Sequence, residues 1–185
     1  MTIFKESELK FEFSNDWWVV QYDDLADYRK LSNAIEGSKA VDFIGVLNDK
    51  TLSFIEVKNF REHRIETKPR ISGGDDPIEL EVAQKVRDTL AGVLAASRHS
   101  THLKSEWTKV VGFLKETEKN IEVILWLEED LPPQYSPVLR AKKMQANGGI
   151  LVKRLKQKMN WLTNRVFVCN VLENEYDETL KVSFL

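Results

Sequence analysis

Residues 40–58 read AVDFIGVLNDKTLSFIEVK. Two apolar, β-favouring runs, 40–47 and 51–60, flank Asn48-Asp49-Lys50, which is turn chemistry, so the segment reads as a β-hairpin. Charges interrupt it at only a few places. Asp42 stands alone in the first run, and Glu56 and Lys58 stand two apart in the second, hence on one face of that strand. With a three-residue loop, Leu47 pairs with Thr51 and Asp42 falls opposite Glu56, their Cβ atoms about 4.5–5.5 Å apart. A two-residue loop would turn Asp42 to the other face. The functional reading depends on the first register.

Two carboxylates that close repel each other and lose hydration unless a cation joins them. A hard divalent ion such as Mg²⁺ takes oxygen ligands and keeps several waters. Asp42, Glu56 and the Val57 carbonyl would offer three oxygens. Lys58 would sit beside the bound water or a substrate phosphate, to orient or deprotonate the water or to offset charge in the transition state. The competing reading is a cross-strand ion pair on a half-solvated hairpin, although a solvated face should alternate polar residues more than VDFIGV does. Two further acid-x-Lys strings, Glu8-Leu9-Lys10 and Glu66-Thr67-Lys68, lack so apolar a setting.

An Asp on one hairpin strand followed by acid-x-Lys on the next resembles the PD-(D/E)xK nuclease superfamily, of restriction-endonuclease-like fold. The resemblance covers about residues 24–128 and falls on Asp42, Glu56 and Lys58. It implies an α/β fold with a restriction-endonuclease-like mixed sheet flanked by helices on both faces. It also implies that the two acids bind Mg²⁺ (or Mn²⁺) and that the lysine assists the water attacking a phosphodiester. Val41 stands where the motif's name has Pro. Many members carry an acid on the first helix, for which Asp24, Asp27 and Glu36 are near enough. Some use a polar residue on the helix after the motif, a role for Gln84 or Lys85.

The rest of the chain agrees with one α/β domain over 1–185, its basic C-terminal helices and strand lying at 136–172. Helical spacing predicts helices over 24–36 and 78–98, the latter with Ala83, Val86, Leu90, Val93, Leu94 and Ser97 along one side. Two more are expected at 136–146 and 150–162, parted by Gly148-Gly149, with Leu151, Leu155, Met159 and Leu162 as the stripe of the second. Strands are expected at 9–13, 17–22, 121–127 and 165–171. Leu131-Pro132-Pro133 ends the segment after the third of these strands. Residues 61–77, with Pro69, Gly73, Gly74 and Pro77, read as a long polar loop, and 103–116 is ambiguous.

The 185 residues carry a net charge of −2, which hides an asymmetry. From Leu131 to Leu172 there is no Asp or Glu, yet there are Arg140, Lys142, Lys143, Lys153, Arg154, Lys156, Lys158 and Arg165. Those eight leave the remainder at about −10, a segregation that suits a surface meeting a polyanion such as DNA, or solvated helix faces. Arg61, Arg64, Lys68 and Arg70 come after Lys58 and suit phosphate contact or a solvated loop equally.

One cysteine, Cys169, permits no internal disulfide, and with three scattered histidines it builds no zinc site. The first residues lack an apolar signal core and no run spans a bilayer, so a cytoplasmic location is expected. Trp126 and Trp161 are expected in the core, and Trp17, Trp18 and Trp107 in packing rather than base stacking; His63, His99 and His102 are expected at the surface. No phosphate-binding Gly-Lys-Ser/Thr loop, dinucleotide fingerprint or partnered serine nucleophile is present. The functional expectation is a Mg²⁺-dependent endonuclease acting on DNA, with a homodimer possible because cutting both strands needs two sites. The alternatives are a non-catalytic nucleic-acid-binding or assembly protein on the same fold, and a metal-free α/β protein whose basic surface meets another protein.

Overall fold

The computed structural model describes residues 1–130 and 136–185. The segment end expected at Leu131-Pro132-Pro133 lies outside the described residues. The hairpin pairs Leu47 with Thr51 and Phe43 with Ile55, which is the even register. Its turn is built by Asn48 and Asp49, both at positive φ, a conformation that Asn and Asp tolerate better than most residues. The Lys50 amide closes it on the Leu47 carbonyl at 3.0 Å.

The strands β3 (Trp17–Gln21), β4 (Phe43–Leu47), β5 (Thr51–Phe60), β6 (Asn120–Glu129) and β7 (Val166–Cys169) lie side by side in that order. The β3, β4 and β5 strands form an antiparallel meander, whereas β6 and β7 run parallel to β5. The chain between β5 and β6 is helical: α2 (Arg64–Ser72), α3 (Ile78–His99) and α4 (Lys104–Lys115). Before β4 comes α1 (Ala26–Ala34), and before β7 comes α5 (Pro137–Met159).

Ile44, Val46, Leu52, Phe54, Val123 and Leu125 point to one face of this sheet and form a core with α3, α4 and α5. Tyr28 of α1 and Ile71 of α2 pack on the same core. The fold is mixed α/β as expected, but the helices gather on one face of the sheet, not on both as the element pattern and the resemblance imply. The other face, with Phe43, Ile55, Val57, Ile124 and Trp126, is covered by Leu9, Phe11, Phe13 and Leu180 of a second sheet. That sheet is antiparallel, in the order β1 (Thr2–Glu6), β2 (Leu9–Phe13), β8 (Leu180–Phe184). The physical cause is the period-two pattern of LKFEF, which gives β2 one apolar face that must be buried. Aromatic rings join the sheets: Phe11 lies 5.3 Å from Phe43 and 5.6 Å from Trp126, centroid to centroid. Thus β5 is covered on both faces, which explains its near-continuous apolar sequence.

Several local expectations change. The 61–77 loop contains α2, closed by Gly73 at φ 84°. Pro69 lies inside it, and Arg70, held by Asp76 and Glu81, ties its end to α3. The ambiguous 103–116 segment is α4, which buries Trp107, Val110 and Phe113. Gly148-Gly149 do not break α5, because Leu151, Leu155 and Met159 anchor the helix on both sheet and α3. Leu94 is exposed on α3, where Val82 and Ala96 complete the buried stripe. Trp126 is fully buried, as expected, but Trp161 is 54% exposed, since it falls just beyond the last turn of α5. Trp17 and Trp107 are core residues and the three histidines lie at the surface. Among the described residues no helix is long and apolar enough to cross a membrane.

Candidate functional site

Asp42, Glu56 and Lys58 share the helix-bearing face of the sheet, since they continue the even-numbered series of Ile44 and Phe54. Asp42 sits one residue ahead of β4 and is held at three points. Its carbonyl accepts from the Tyr22 amide at 2.8 Å, the Val41 amide beside it donates to Thr89 Oγ1 at 3.0 Å, and its Oδ2 accepts from the Val57 amide at 2.6 Å. In a strand the N–H and C=O of one residue point to the same side. The Val57 carbonyl therefore faces the edge on which Asp42 lies.

Glu56 is fully buried and Asp42 nearly so. Four charged side chains surround them, two of which come from α3. Lys58 Nζ lies 2.9 Å from Glu56 Oε1 and 3.0 Å from Glu81 Oε1. Lys85 Nζ lies 2.6 Å from Glu56 Oε1 and 3.6 Å from Asp42 Oδ1. Arg70 of α2 closes on Glu81 Oε2. Both lysines approach Oε1 of Glu56, whereas Oε2 is buried with no hydrogen-bond partner.

The electrostatics result from this crowding. Burial, then the Asp42 charge, push the Glu56 carboxyl up to about 7, against the pull of Lys85 and Lys58. For Lys58, burial favours the neutral amine, but Glu56 and Glu81 outweigh it and raise its pKa. Lys85 is raised in the same way by Glu56 and Asp42. Glu81 is lowered by Lys58 and Arg70 despite its burial. Lys58 is thus an ammonium between two carboxylates. Of the roles considered for it, orienting the water and offsetting charge use that state.

The weaker candidates separate. Lys85 joins the acids, but its neighbour Gln84 turns away and binds Lys39 Nζ at 3.3 Å. Asp27 accepts from Ser100 Oγ at 2.8 Å and Trp107 Nε1 at 2.9 Å, so it braces α1 against α4. Glu36 is exposed beyond the end of α1. The acid that does lie near is Asp23, just ahead of α1, which sequence reasoning passed over. Burial first, and then the Asp42 charge, raise it to about 6, and its Oδ1 is buried without a partner. Glu81 was also missed. Its only signal was the spacing of four from Lys85, beside the apolar stripe of α3.

The basic candidates divide as well. Arg61 stacks over the Phe184 ring at 3.8 Å and binds Asn59. Arg154 binds Glu79 at 3.2 Å and the Ile71 carbonyl, so it fastens α5 to α2 and α3. Arg165 pairs with Glu122 at 3.4 Å. Lys153, Lys156 and Lys158 are exposed on the outer side of α5, away from Leu151, Leu155 and Met159. The side chains of Arg64, Arg140, Lys142 and Lys143 lie outside the described residues.

Comparison with known proteins adds little to this geometry. No family model matches the chain, and no solved structure matches it. It is 30% identical over 122 residues to a cysteine–tRNA ligase of Neisseria meningitidis serogroup A / serotype 4A. The match covers 52% of this chain, and the chain spans 17% of the ligase's length.

Proposed function

We propose that this chain is a metal-dependent phosphodiesterase of the PD-(D/E)xK type, acting on DNA. The observation that carries the reading is the buried pair Asp42 and Glu56. One oxygen of each lies within 3.6 Å of Lys85 Nζ, and the other Glu56 oxygen, Oε2, is buried with no hydrogen-bond partner. Buried carboxylate oxygen left unpaired is costly, and a hard cation is the group that would satisfy it. Among the described residues no three acidic, histidine or cysteine side chains gather around one point. The two carboxylates and the Val57 carbonyl would hold Mg²⁺ or Mn²⁺, with water filling the other positions. Such an ion supplies an acidified water and a counter-charge for the phosphoryl oxygens. Lys58 contributes a fixed ammonium next to Glu56, aimed by Glu81, where it orients the water and offsets charge as the phosphodiester breaks. The exposed lysines of α5 supply a backbone-binding surface whose strength falls with salt.

The test is cleavage of supercoiled plasmid, single-stranded DNA and tRNA, with and without Mg²⁺ or Mn²⁺. Nicking is expected only with metal, and Lys58→Ala is expected to abolish it. That variant leaves Lys85 on Glu56 and Arg70 on Glu81, so both acids keep a cation, and circular dichroism should show an unchanged fold. Cleavage at the wild-type rate by Lys58→Ala removes the assignment.

A second reading, a nucleic-acid-binding or assembly protein without catalysis, has one observation in its favour. The Lys85 ammonium already bridges the two acids without any metal. Salt-sensitive retention of DNA without nicking, under every metal condition, would support it.

A further inference from the structure

Lys85 stands where a cation shared by Asp42 and Glu56 would stand. Its Nζ is 2.6 Å from Glu56 Oε1 and 3.6 Å from Asp42 Oδ1, and the side chain is 15% exposed. It comes from the second turn of α3, an element packed on the sheet through Ile78, Val82 and Val86. Lys58 approaches the same Glu56 oxygen from the strand, but its other bond, to Glu81, draws it away from Asp42. The two lysines therefore differ in place. Lys58 flanks the acid pair, whereas Lys85 bridges it.

We propose that Lys85 is a built-in counter-cation that competes with the divalent metal for Asp42 and Glu56. The site then has two states. In one, the ammonium bridges the acids and keeps two buried carboxylates from facing each other unpaired. In the other, a metal takes the acids and Lys85 swings out along α3 toward solvent, its long stem allowing the charged head to reach water. A metal must displace a bound ammonium to enter, so the affinity measured is the intrinsic affinity reduced by that competition. Metal occupancy also becomes dependent on whatever draws Lys85 away. An anionic substrate that pairs with the released ammonium would bind more tightly to the metal-loaded state, and would by reciprocity tighten the metal. This inference rests on the metal-site reading above.

The experiment is a calorimetric titration of the full chain with Mn²⁺, for wild type, Lys85→Met and Glu56→Gln. Methionine keeps the unbranched stem and removes the charge. Lys85→Met is expected to bind Mn²⁺ between about 5- and 150-fold more tightly than wild type, the range usual for the coupling of two binding events. Glu56→Gln is expected to bind none. Binding by Lys85→Met alone would support the competition and overturn the metal reading for the wild-type chain. Equal affinity in wild type and Lys85→Met would overturn the competition and leave the metal reading standing, as would weaker binding by Lys85→Met. No binding by either would overturn both.

A second measurement uses the wild-type protein alone, in case Lys85→Met does not fold. Acetylation by acetic anhydride, read residue by residue by mass spectrometry, is expected to be slow at Lys85 in EDTA and several-fold faster in Mn²⁺. Lys153, on the outer side of α5, serves as the control and should not change. An unchanged rate at Lys85 in metal would overturn the competition.

Discussion

The Val57 amide donates a 2.6 Å hydrogen bond to Asp42 Oδ2. That bond joins the start of β4 to the middle of β5 through a side chain, at a position where the backbone ladder has already ended. It gives Asp42 a structural duty besides any chemical one. The two are separable, because an amide oxygen can accept the same bond. Asp42→Asn is expected to stay within about 1 kcal/mol of wild type in stability, whereas Asp42→Ala strands a buried N–H and should lose about 1–3 kcal/mol. Urea denaturation measures the difference. Both variants should lose metal-dependent cleavage, so a fully active Asp42→Asn would contradict the site.

Asp23 makes stability depend on pH. Its carboxyl titrates near 3.8 when unperturbed and at about 6 in the folded chain. The folded state therefore holds the proton more tightly, and stability falls as pH rises from about 4 to about 6. Below that window both states are protonated and the effect vanishes. Asp23→Asn should flatten this part of the profile and be more stable than wild type at pH 7, with no difference near pH 3. Thermal melts across the range provide the check; identical slopes in the two proteins would show that Asp23 is not the group responsible.

Gly148 and Gly149 lie within α5, and a Cβ built on either meets no atom within 4 Å. Nothing in the packing requires glycine there. Alanine removes the backbone entropy penalty of glycine in a helix, so each single change should raise stability by about 0.5–1 kcal/mol. The pair should add nearly fully if α5 is one continuous helix. A loss of stability would mean that the helix bends at this point in solution.

Gly92 is the opposite case. A Cβ there would collide with the Tyr22 hydroxyl and crowd Leu31. Helix propensity favours alanine, but overpacking in a closed core costs more, and Gly92→Ala should lose about 1–3 kcal/mol. The Tyr22 hydroxyl is buried without a hydrogen-bond partner, so Tyr22→Phe alone should be tolerated. In that background Gly92→Ala should cost clearly less. A double-mutant cycle with no coupling would locate the strain elsewhere.

Much of the site could be read along the chain because it is governed by short-range rules. A strand's side chains alternate, and a three-residue turn sets which residues face each other. With that turn, these two facts bring Asp42 onto the face of Glu56 and Lys58. The residues Asn48 and Asp49 marked the turn but not its length, which the pairing of Leu47 with Thr51 sets. The stripe of Leu151, Leu155 and Met159 identified the buried side of α5 by a short-range rule of the same kind. The glycine pair misled, because a local cost of about 1 kcal/mol per glycine is smaller than what burial of a whole stripe contributes.

The chain by itself determined the hairpin and the face shared by Glu56 and Lys58, since both are fixed by spacing within 20 residues; it left two registers open, and the structure selects the one that brings Asp42 to that face. Tertiary structure alone decided that Lys85 and Glu81 of α3 reach that face and that Asp23, not Asp27 or Glu36, is the nearby acid of the first helical region. It also decided that a sheet made from both ends of the chain covers the far side. These depend on how distant apolar faces bury one another, and the spacing of residues along the sequence holds no record of that choice.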